Sequence, residues 1–358
     1  MRIVTVVGNR PQFVKAAAVS GVLRERHTEI VVHTGQHHDD SLSRVFFAEL
    51  GLERPDHELE IAGGSNTSQT ARMLAALEPL LADEQPDAVL VYGDTNSTLA
   101  GGLAGAQAAI PVVHVEAGMR SYDRTMPEEL NRVLTDHASA LLLCSSPTAA
   151  QNLRGESVAG HVVVVGDVMV DVALRWQPAA RANDEVAAAR GLRPGAYLLL
   201  TAHRAGNVDD PARLRALVSV IEALPAPVVL PLHPRTRARL EQAELLEQLE
   251  RSDGVQLTEP LGYVEFSALL CNARAVLTDS GGVQKEAYLA GVPCVTLRAN
   301  TEWVETVQAG WNTLVDLDAG AALAALERTP PAEHPRLYGD GHAGERCVRA
   351  IETLERMA

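Results

Sequence analysis

AVLVYGDTNSTLAGGLAGAQAAIPVVHVEAGMRSYDRTMPEELNR, Ala88 to Arg132, is the stretch from which the rest of the chain is read. Two short apolar runs, Ala88–Tyr92 and Val112–Val115, are each followed at once by a turn carrying acid and glycine. Between them Thr95–Ala108 is rich in Ala and other small residues and predicts a crossover helix. A strand–helix–strand unit sets two parallel strands side by side, with both carboxyl ends on one edge of the sheet. That edge is where open α/β sheets bind ligands. Asp94 follows the first strand by two residues, Glu116 follows the second directly, and Glu128 stands behind Pro127 at the start of another helix. The reading therefore brings three carboxylates to one crevice. A competing reading makes Asp94 and Glu128 plain helix caps, since anions are favoured at helix N-termini by up to about 1 kcal/mol.

Working outward, Arg2–Val7 is an apolar strand that runs into GNRPQFVK. Gly8 permits a tight turn and Pro11 suits the first position of a helix. Arg10 and Lys15 then lie near a helix N-terminus, a place suited to phosphate, although a solvated helix face also accounts for Lys15. The segment is not a GxGxxG fingerprint, so no dinucleotide is indicated. Glu29–His33 predicts the next strand, which ends in TGQHHDD. The spacing of His37, His38, Asp39 and Asp40 matches no usual metal motif, and no metal is assigned. Helices are expected at Ser41–Leu50 and Thr67–Ala82, and strands at Leu141–Cys144 and His161–Val165, with a Ser-Pro helix start between the last two. This alternation up to about Asp171 predicts a doubly wound parallel sheet.

Trp176–Arg193 is polar, rich in Ala and Arg, contains Pro178 and ends at RPG; it reads as a passage between domains. A second alternating series follows, with strands expected at Tyr197–Thr201, Val228–Leu232, Val255–Thr258, Ala275–Thr278 and Pro293–Leu297, the last clear one. Helices are expected at Pro211–Ala223 and Tyr263–Cys271. The expected domains are 1–175 and 190–340, each with its ligand edge and facing each other across a cleft. A final helix, His342–Met357, is expected to pack back on the first domain, so that 342–358 joins it.

Composition narrows the field. The 358 residues suffice for two ordinary cores. A formal charge of −15 argues against broad binding to a nucleic-acid backbone. The four cysteines are widely spaced, form no metal pattern and read as buried reduced thiols. No apolar run reaches the ~18–20 residues that span a bilayer, and the opening run is too short for a signal peptide. The expectation is a soluble cytoplasmic protein.

The second half carries DSGGVQKEA, Asp279 to Ala287. Ser280, Gly281 and Gly282 make a turn without bulky side chains, so backbone N–H groups can approach a phosphate closely. Glu286, one helical turn on, is placed to accept two ribose hydroxyls. A plain helix cap at Asp279 or Ser280 accounts for one polar residue but not for two adjacent glycines. His203 and His233 follow strands in equivalent positions, and Arg235 adds positive charge for a diphosphate. Tyr263 and Phe266 are candidates to flank a nucleobase, with core packing the alternative for Phe266.

Taken together, GNRPQFVKA, VYGDTNSTLAG, HVEAGMRS, MPEELNRVLTDH, TAHR, LPLHPRTR and LTDSGGVQKEA resemble, in order over nearly the whole chain, the motifs of the non-hydrolysing UDP-N-acetylglucosamine 2-epimerases. The resemblance implies the GT-B fold, two Rossmann-like domains with a UDP-sugar in the cleft, and interconversion of UDP-N-acetylglucosamine and UDP-N-acetylmannosamine. It implies anti elimination of UDP to a 2-acetamidoglucal, followed by re-addition on the other face. No cofactor, nicotinamide or metal is implied, and a homodimer is expected. Asp94, Glu116, Glu128 and His203 align with the family's catalytic residues. Arg10, Lys15, His233, Ser280, Gly281, Gly282 and Glu286 align with UDP contacts, and Arg132, Arg235 and Phe266 are counted with the substrate-binding candidates.

Two departures stand out. After His203 the family commonly reads HRxEN or HRRES; here HRAGN puts Gly206 in place of the acid. The loop QHHDDSLSR differs from the QHREMLDQ type of allosterically activated members. PQFVKA, VHTGQHHD, LPLHPRTR and TEWVE are also similar to relatives that epimerise UDP-2,3-diacetamido-2,3-dideoxy-glucuronic acid, so that substrate stands as the alternative. A hydrolysing epimerase, a retaining glycosyltransferase and a non-catalytic nucleotide-sugar sensor are the remaining rivals.

Overall fold

The computed structural model describes residues 1–36, 52–225 and 227–354. The expected helix at 41–50 and the residues His37, His38, Asp39 and Asp40 lie outside these. The chain divides into two compact units, Met1–Leu174 with Tyr338–Ala358, and Arg175–Leu337. No helix among the described residues is long and apolar enough to cross a membrane.

Unit 1 holds β1 (Arg2–Val7), β2 (Thr28–His33), β3 (His57–Glu58), β4 (Ala88–Tyr92), β5 (Val112–Ala117), β6 (Leu141–Cys144) and β7 (His161–Val164). They form one sheet in the order β3-β2-β1-β4-β5-β6-β7, every pair parallel. All five residues of β4 and all four of β6 are buried. Helices cover both faces of such a sheet, so its strands are apolar without alternation. Unit 2 repeats the plan with β8 (Leu198–Thr201), β9 (Val228–Pro231), β10 (Val255–Thr258), β11 (Ala275–Thr278), β12 (Cys294–Thr296) and β13 (Asn312–Leu314), in the order β10-β9-β8-β11-β12-β13. Strand order reverses between β1 and β4 in one unit and between β8 and β11 in the other. Each reversal opens a crevice at the carboxyl ends of the strands. Both units are Rossmann-like, and the fold is of the GT-B class.

The helices used below are α1 (Arg10–Arg24), α2 (Asn66–Glu84), α3 (Asn96–Gln107), α4 (Pro127–Ala138), α5 (Pro147–Glu156) and α6 (Val168–Ala182). They continue with α7 (Pro211–Ala223), α8 (Pro234–Gln242), α9 (Tyr263–Cys271), α10 (Gly281–Leu289), α11 (Ala319–Glu327) and α12 (Ala343–Ile351). Local chemistry starts them. Asn9 accepts from the Gln12 N–H at 3.3 Å with Pro11 in the first turn of α1, and Thr95 and Thr98 cap α3 reciprocally. The start of α12 is capped from another helix: Asp171 on α6 accepts from the N–H groups of Ala343 at 3.0 Å and Gly344 at 2.7 Å. Its apolar face then buries Cys347, Val348 and Ile351 in unit 1, against α1.

The passage expected at Trp176–Arg193 is largely helical. α6 runs on to Ala182 with Pro178 inside it, and Glu185–Ala188 adds a further turn. Proline removes the hydrogen bond to the carbonyl four residues back and crowds that carbonyl with its ring; here it is the carbonyl of Leu174, the last residue of unit 1 before the boundary. The Ala-rich composition sustains the helix on either side. β3, β13 and α11 were not anticipated.

All four thiols are buried, none more than 7% exposed. Burial pushes Cys144 and Cys294 up to about 12 and Cys271 up to about 11, and it raises Cys347 as well. Thiolate is the reactive form. Native protein at pH 8 is therefore expected to react slowly with a thiol probe and to release the full signal of four only in denaturant. Rapid stoichiometric labelling of native protein would contradict this packing.

Candidate active site

On the edge of unit 1, the first element is an ion pair. Lys15, in the second turn of α1, meets the Glu116 carboxylate, with only 12% and 9% of the two side chains exposed. Glu116 sits at a register shift between β5 and β6 and has φ +70°, a left-handed conformation that costs a non-glycine residue about 1–3 kcal/mol. Gly93, at φ +67°, ends β4 opposite it. A Cβ at Gly93 would stand 2.9 Å from Lys15 Nζ and 3.4 Å from Glu116 Oε2. The ion pair thus lies across the bare face of the glycine, beside Asp94.

Asp94 has its own cation. Its carboxylate pairs with the buried Arg132 of α4, whose Nη1 also donates to Glu129 at 3.0 Å. The Asp94 carbonyl accepts from Asn131 Nδ2 at 3.0 Å. Thr95 is the N-cap of α3 and Met126 that of α4, so neither Asp94 nor Glu128 is a capping residue. Glu128 stands half-buried in the first turn of α4, one turn before the residues that reach Asp94. Arg10 opens α1 on the same edge. Lys15 and Arg132, expected among the substrate contacts, are each paired with a carboxylate of this edge.

Sequence reasoning missed Glu129. Its buried carboxylate accepts from Ser121 N at 2.9 Å, Ser121 Oγ at 2.9 Å and Tyr122 N at 3.0 Å, fixing the loop between β5 and α4. Its spacing of three from Arg132 on a helix was the available signal.

In unit 2, His203 and His233 leave β8 and β9 and stack with ring centroids 5.4 Å apart. The fully buried Asp279 carboxylate accepts from the N–H groups of His203 at 3.1 Å and Arg204 at 3.0 Å, and from Asn207 Nδ2 at 3.1 Å. It shapes the histidine turn rather than capping a helix. His233 caps α8, its Nδ1 accepting from the Arg235 N–H at 3.1 Å. The Arg235 guanidinium, expected to serve a diphosphate, pairs with Asp209, which Arg239 shares at 3.0 Å. Arg235 and Arg239 hold the Asp209 carboxyl below its ordinary range. Phe266 is 3% exposed among the apolar side chains of unit 2, including Leu199, Val229 and Leu269, so its ring is a core ring.

Ser280 is the N-cap of α10. The two glycines after it differ. A Cβ at Gly281 would lie 2.1 Å from Glu302 Oε1 and 3.3 Å from Trp303 Nε1, whereas one at Gly282 meets nothing nearer than Ser280 Oγ at 3.9 Å. Gly281 therefore admits the protein's own carboxylate, and Gly282 faces open space. Glu302 is held by Arg298 at 2.9 Å, with Arg204 at 3.7 Å. Burial depresses the Arg298 pKa, Glu302 works against that, and neighbouring Arg204 adds to it. Lys285 is buried under Trp303, its Nζ 4.2 Å from the ring centroid. Arg204, Arg298 and Lys285 were not singled out from sequence. Glu286 is half-buried in the second turn of α10. The arrangement offers a helix N-terminus, two histidines and clustered cations, which suits phosphate. The edge of unit 1 offers carboxylates held by cations, which suits proton transfer. Among the described residues no group of three His, Cys, Asp or Glu is placed to hold a metal ion.

The model of the family described as UDP-N-acetylglucosamine 2-epimerase matches residues 22–352. The chain belongs to that family. It is thus an isomerase of the UDP-N-acetylglucosamine 2-epimerase class. It is 46% identical to the UDP-2,3-diacetamido-2,3-dideoxy-D-glucuronate 2-epimerase of Pseudomonas aeruginosa over 99% of this chain and 100% of that one. A UDP-N-acetylglucosamine 2-epimerase homolog of Methanococcus maripaludis is 45% identical over 100% of both chains. Among solved structures, Methanocaldococcus jannaschii UDP-GlcNAc 2-epimerase in complex with UDP-GlcNAc and UDP superposes with a TM-score of 0.92 at 39% identity, covering 98% of this chain and 99% of that one.

The two glycines give a direct test. Gly281→Ala forces the buried Glu302 carboxylate out of place and is expected to destabilise the protein by about 1–3 kcal/mol. Gly282→Ala has room and gains helix propensity, so its stability should match or exceed that of the parent by up to about 1 kcal/mol. Urea unfolding of both variants checks the difference; equal losses would refute the packing described.

Proposed function

We propose that this epimerase acts without net hydrolysis, interconverting UDP-N-acetylglucosamine and UDP-N-acetylmannosamine by elimination and re-addition of UDP. The observation that carries the reading is the pair of carboxylates flanking Gly93, Glu116 and Asp94, each against its own cation. The hydrogen at C2 of an acetamido sugar is barely acidic, so its removal has to be coupled to departure of the leaving group at C1. A carboxylate takes the C2 proton as the C1–O bond breaks; the bond electrons leave with UDP and a C1=C2 double bond forms. In the return step UDP oxygen attacks C1 while a proton is delivered to the opposite face of C2. Asp94, Glu116 and Glu128 are the acid–base candidates, with Lys15 and Arg132 orienting two of them. On unit 2, His203 with Arg204, Arg298 and the N-terminus of α10 counters charge growing on the diphosphate. Glu286 accepts the ribose hydroxyls, and His233, Ser280 and Gly282 complete the UDP contacts.

A second reading has a specific support, the 46% identity to the diacetamido-glucuronate 2-epimerase. The chemistry at C1 and C2 is the same there, and only the groups at C3 and C6 differ. Assaying both UDP-sugars side by side decides the substrate: the correct one turns over and the other leaves the epimer ratio unchanged. Accumulation of free UDP with N-acetylmannosamine would instead establish a hydrolysing enzyme.

Under the proposed mechanism, product recovered from D₂O carries deuterium at C2 and nowhere else. Asp94→Asn, Glu116→Gln and Glu128→Gln are expected to lower kcat by roughly 10²–10⁴-fold where the carboxylate carries a full proton-transfer role. Product without C2 deuterium, or full activity in all three variants, would sink the mechanism.

Glu286→Ala is expected to weaken UDP binding by on the order of 30- to 1,000-fold, the equivalent of about 2–4 kcal/mol for lost bonds to a charged acceptor. Calorimetry with UDP reads this directly, and unchanged affinity would withdraw the ribose assignment.

A further inference from the structure

Beneath the two carboxylate turns lies a buried charged cluster that the mechanism above does not use. His114, in the middle of β5, and Asp136, on α4, are both fully buried. His114 Nδ1 faces Asp136 Oδ1 at 2.7 Å, and its Nε2 faces the Gly93 carbonyl at 2.7 Å. A carbonyl can only accept, so Nε2 is the donor toward Gly93, with Nδ1 turned to the Asp136 carboxyl group. The other Asp136 oxygen accepts from the Gly118 N–H at 3.1 Å and from Arg120 Nη1 at 2.7 Å. Arg120 in turn forks onto Glu156 with two bonds of 2.7 Å. Burial works to raise the Asp136 pKa, but His114 and Arg120 outweigh it and hold the group below its ordinary range.

The atoms that this cluster grips are main-chain atoms beside the reacting carboxylates. Gly93 immediately precedes Asp94, and Gly118 lies two residues after Glu116, whose backbone is held in the left-handed region. An ion cluster of this kind adds little to stability compared with a well-packed apolar substitute, so stability alone is a poor account of it.

We infer that His114 is a positioning residue for the epimerase reaction, its Nε2 bond to the Gly93 carbonyl aiming Asp94 while Asp136 and Arg120 fix the opposite turn through Gly118. The inference rests on the proposed roles of Asp94 and Glu116. No bond to substrate is made or broken by the cluster; it acts only through the main chain.

The two ring bonds can be separated. His114→Gln keeps a donor near the Nε2 position and hence the hold on Gly93. His114→Asn keeps one near Nδ1 and hence the bond to Asp136 while freeing Gly93. With a misaimed carboxylate costing up to about 100-fold, His114→Asn should lower kcat by about 10–100-fold while His114→Gln stays within several-fold of the parent. UDP affinity should be unchanged in both, since the bonds of His114 run to the Gly93 carbonyl and to Asp136 and not to a proposed UDP contact. In an Asp94→Asn background, His114→Asn should cost no further activity. Should His114→Asn fail to fold, Asp136→Asn takes its place: it leaves an acceptor for Gly118, removes the charge partner of the ring, and should lower kcat in the parent but not in Asp94→Asn. Equal losses for the Gln and Asn variants, a matching loss of UDP affinity, or the same fold-loss in the Asp94→Asn background would overturn the inference. Full activity of Asp94→Asn itself would instead strike at the proposed function, so the two failures are distinguishable.

Discussion

A main chain that leaves a parallel sheet steps out of its hydrogen-bond ladder, and the N–H and C=O groups it exposes must find other partners. In this protein buried side chains supply them at the edges where the chemistry is placed. Gln12, 1% exposed, joins the N–H of Gly8 at 2.7 Å to the carbonyl of Tyr92 at 2.9 Å, linking the ends of β1 and β4. Asn131 does the same for the carbonyl of Asp94, and Asp279 gathers the N–H groups of the His203 turn. The candidate residues are held by the way the strands are finished. The candidate groups are positioned by the main chain as much as by their own contacts.

Charge follows the same logic. The chain as a whole carries a formal charge of −15. At the edge of unit 1 the paired carboxylates lie against cations: Lys15 against Glu116, Arg132 shared by Asp94 and Glu129, and Arg120 against Asp136. Unit 2 gathers Arg204, Arg298 and Lys285 around the start of α10, with Glu302 lying between the two arginines. Total charge and local field are therefore unrelated quantities in this molecule.

Much of this was legible in the sequence because a doubly wound fold writes itself in a simple code: an apolar run, a polar turn, an amphipathic helix. Asp94, Glu116, His203, His233 and the Ser280 turn stand out as candidates because each follows such a run within two residues. The residues that were missed obey a different rule. His114 interrupts an apolar strand by one position and reads as core, Asp136 reads as the polar face of a helix, and Arg298 trails a strand without a glycine to flag it. Their importance comes from contacts with residues far off in sequence, at 21 positions for His114 and Gly93 and 22 for His114 and Asp136. β13 is only three residues long and opens on Asn312, too short and too polar for periodicity to register. Phe266 shows the converse limit: an aromatic at the head of a helix reads alike as base-stacking platform or core residue until burial decides.

The return of α12 to unit 1 sets an order in time. Unit 2 is an insertion: the chain leaves unit 1 after Leu174 and comes back at Tyr338. On the ribosome, all six strands of unit 2 are made before Ala343–Ile351, whose Cys347, Val348 and Ile351 are fully buried in unit 1. Domains fold as their sequence becomes available during synthesis. The inserted unit can thus be complete while unit 1 still lacks the helix that packs on α1, so the nascent chain carries an uncovered apolar face on α1 until Ala343–Ile351 has been made.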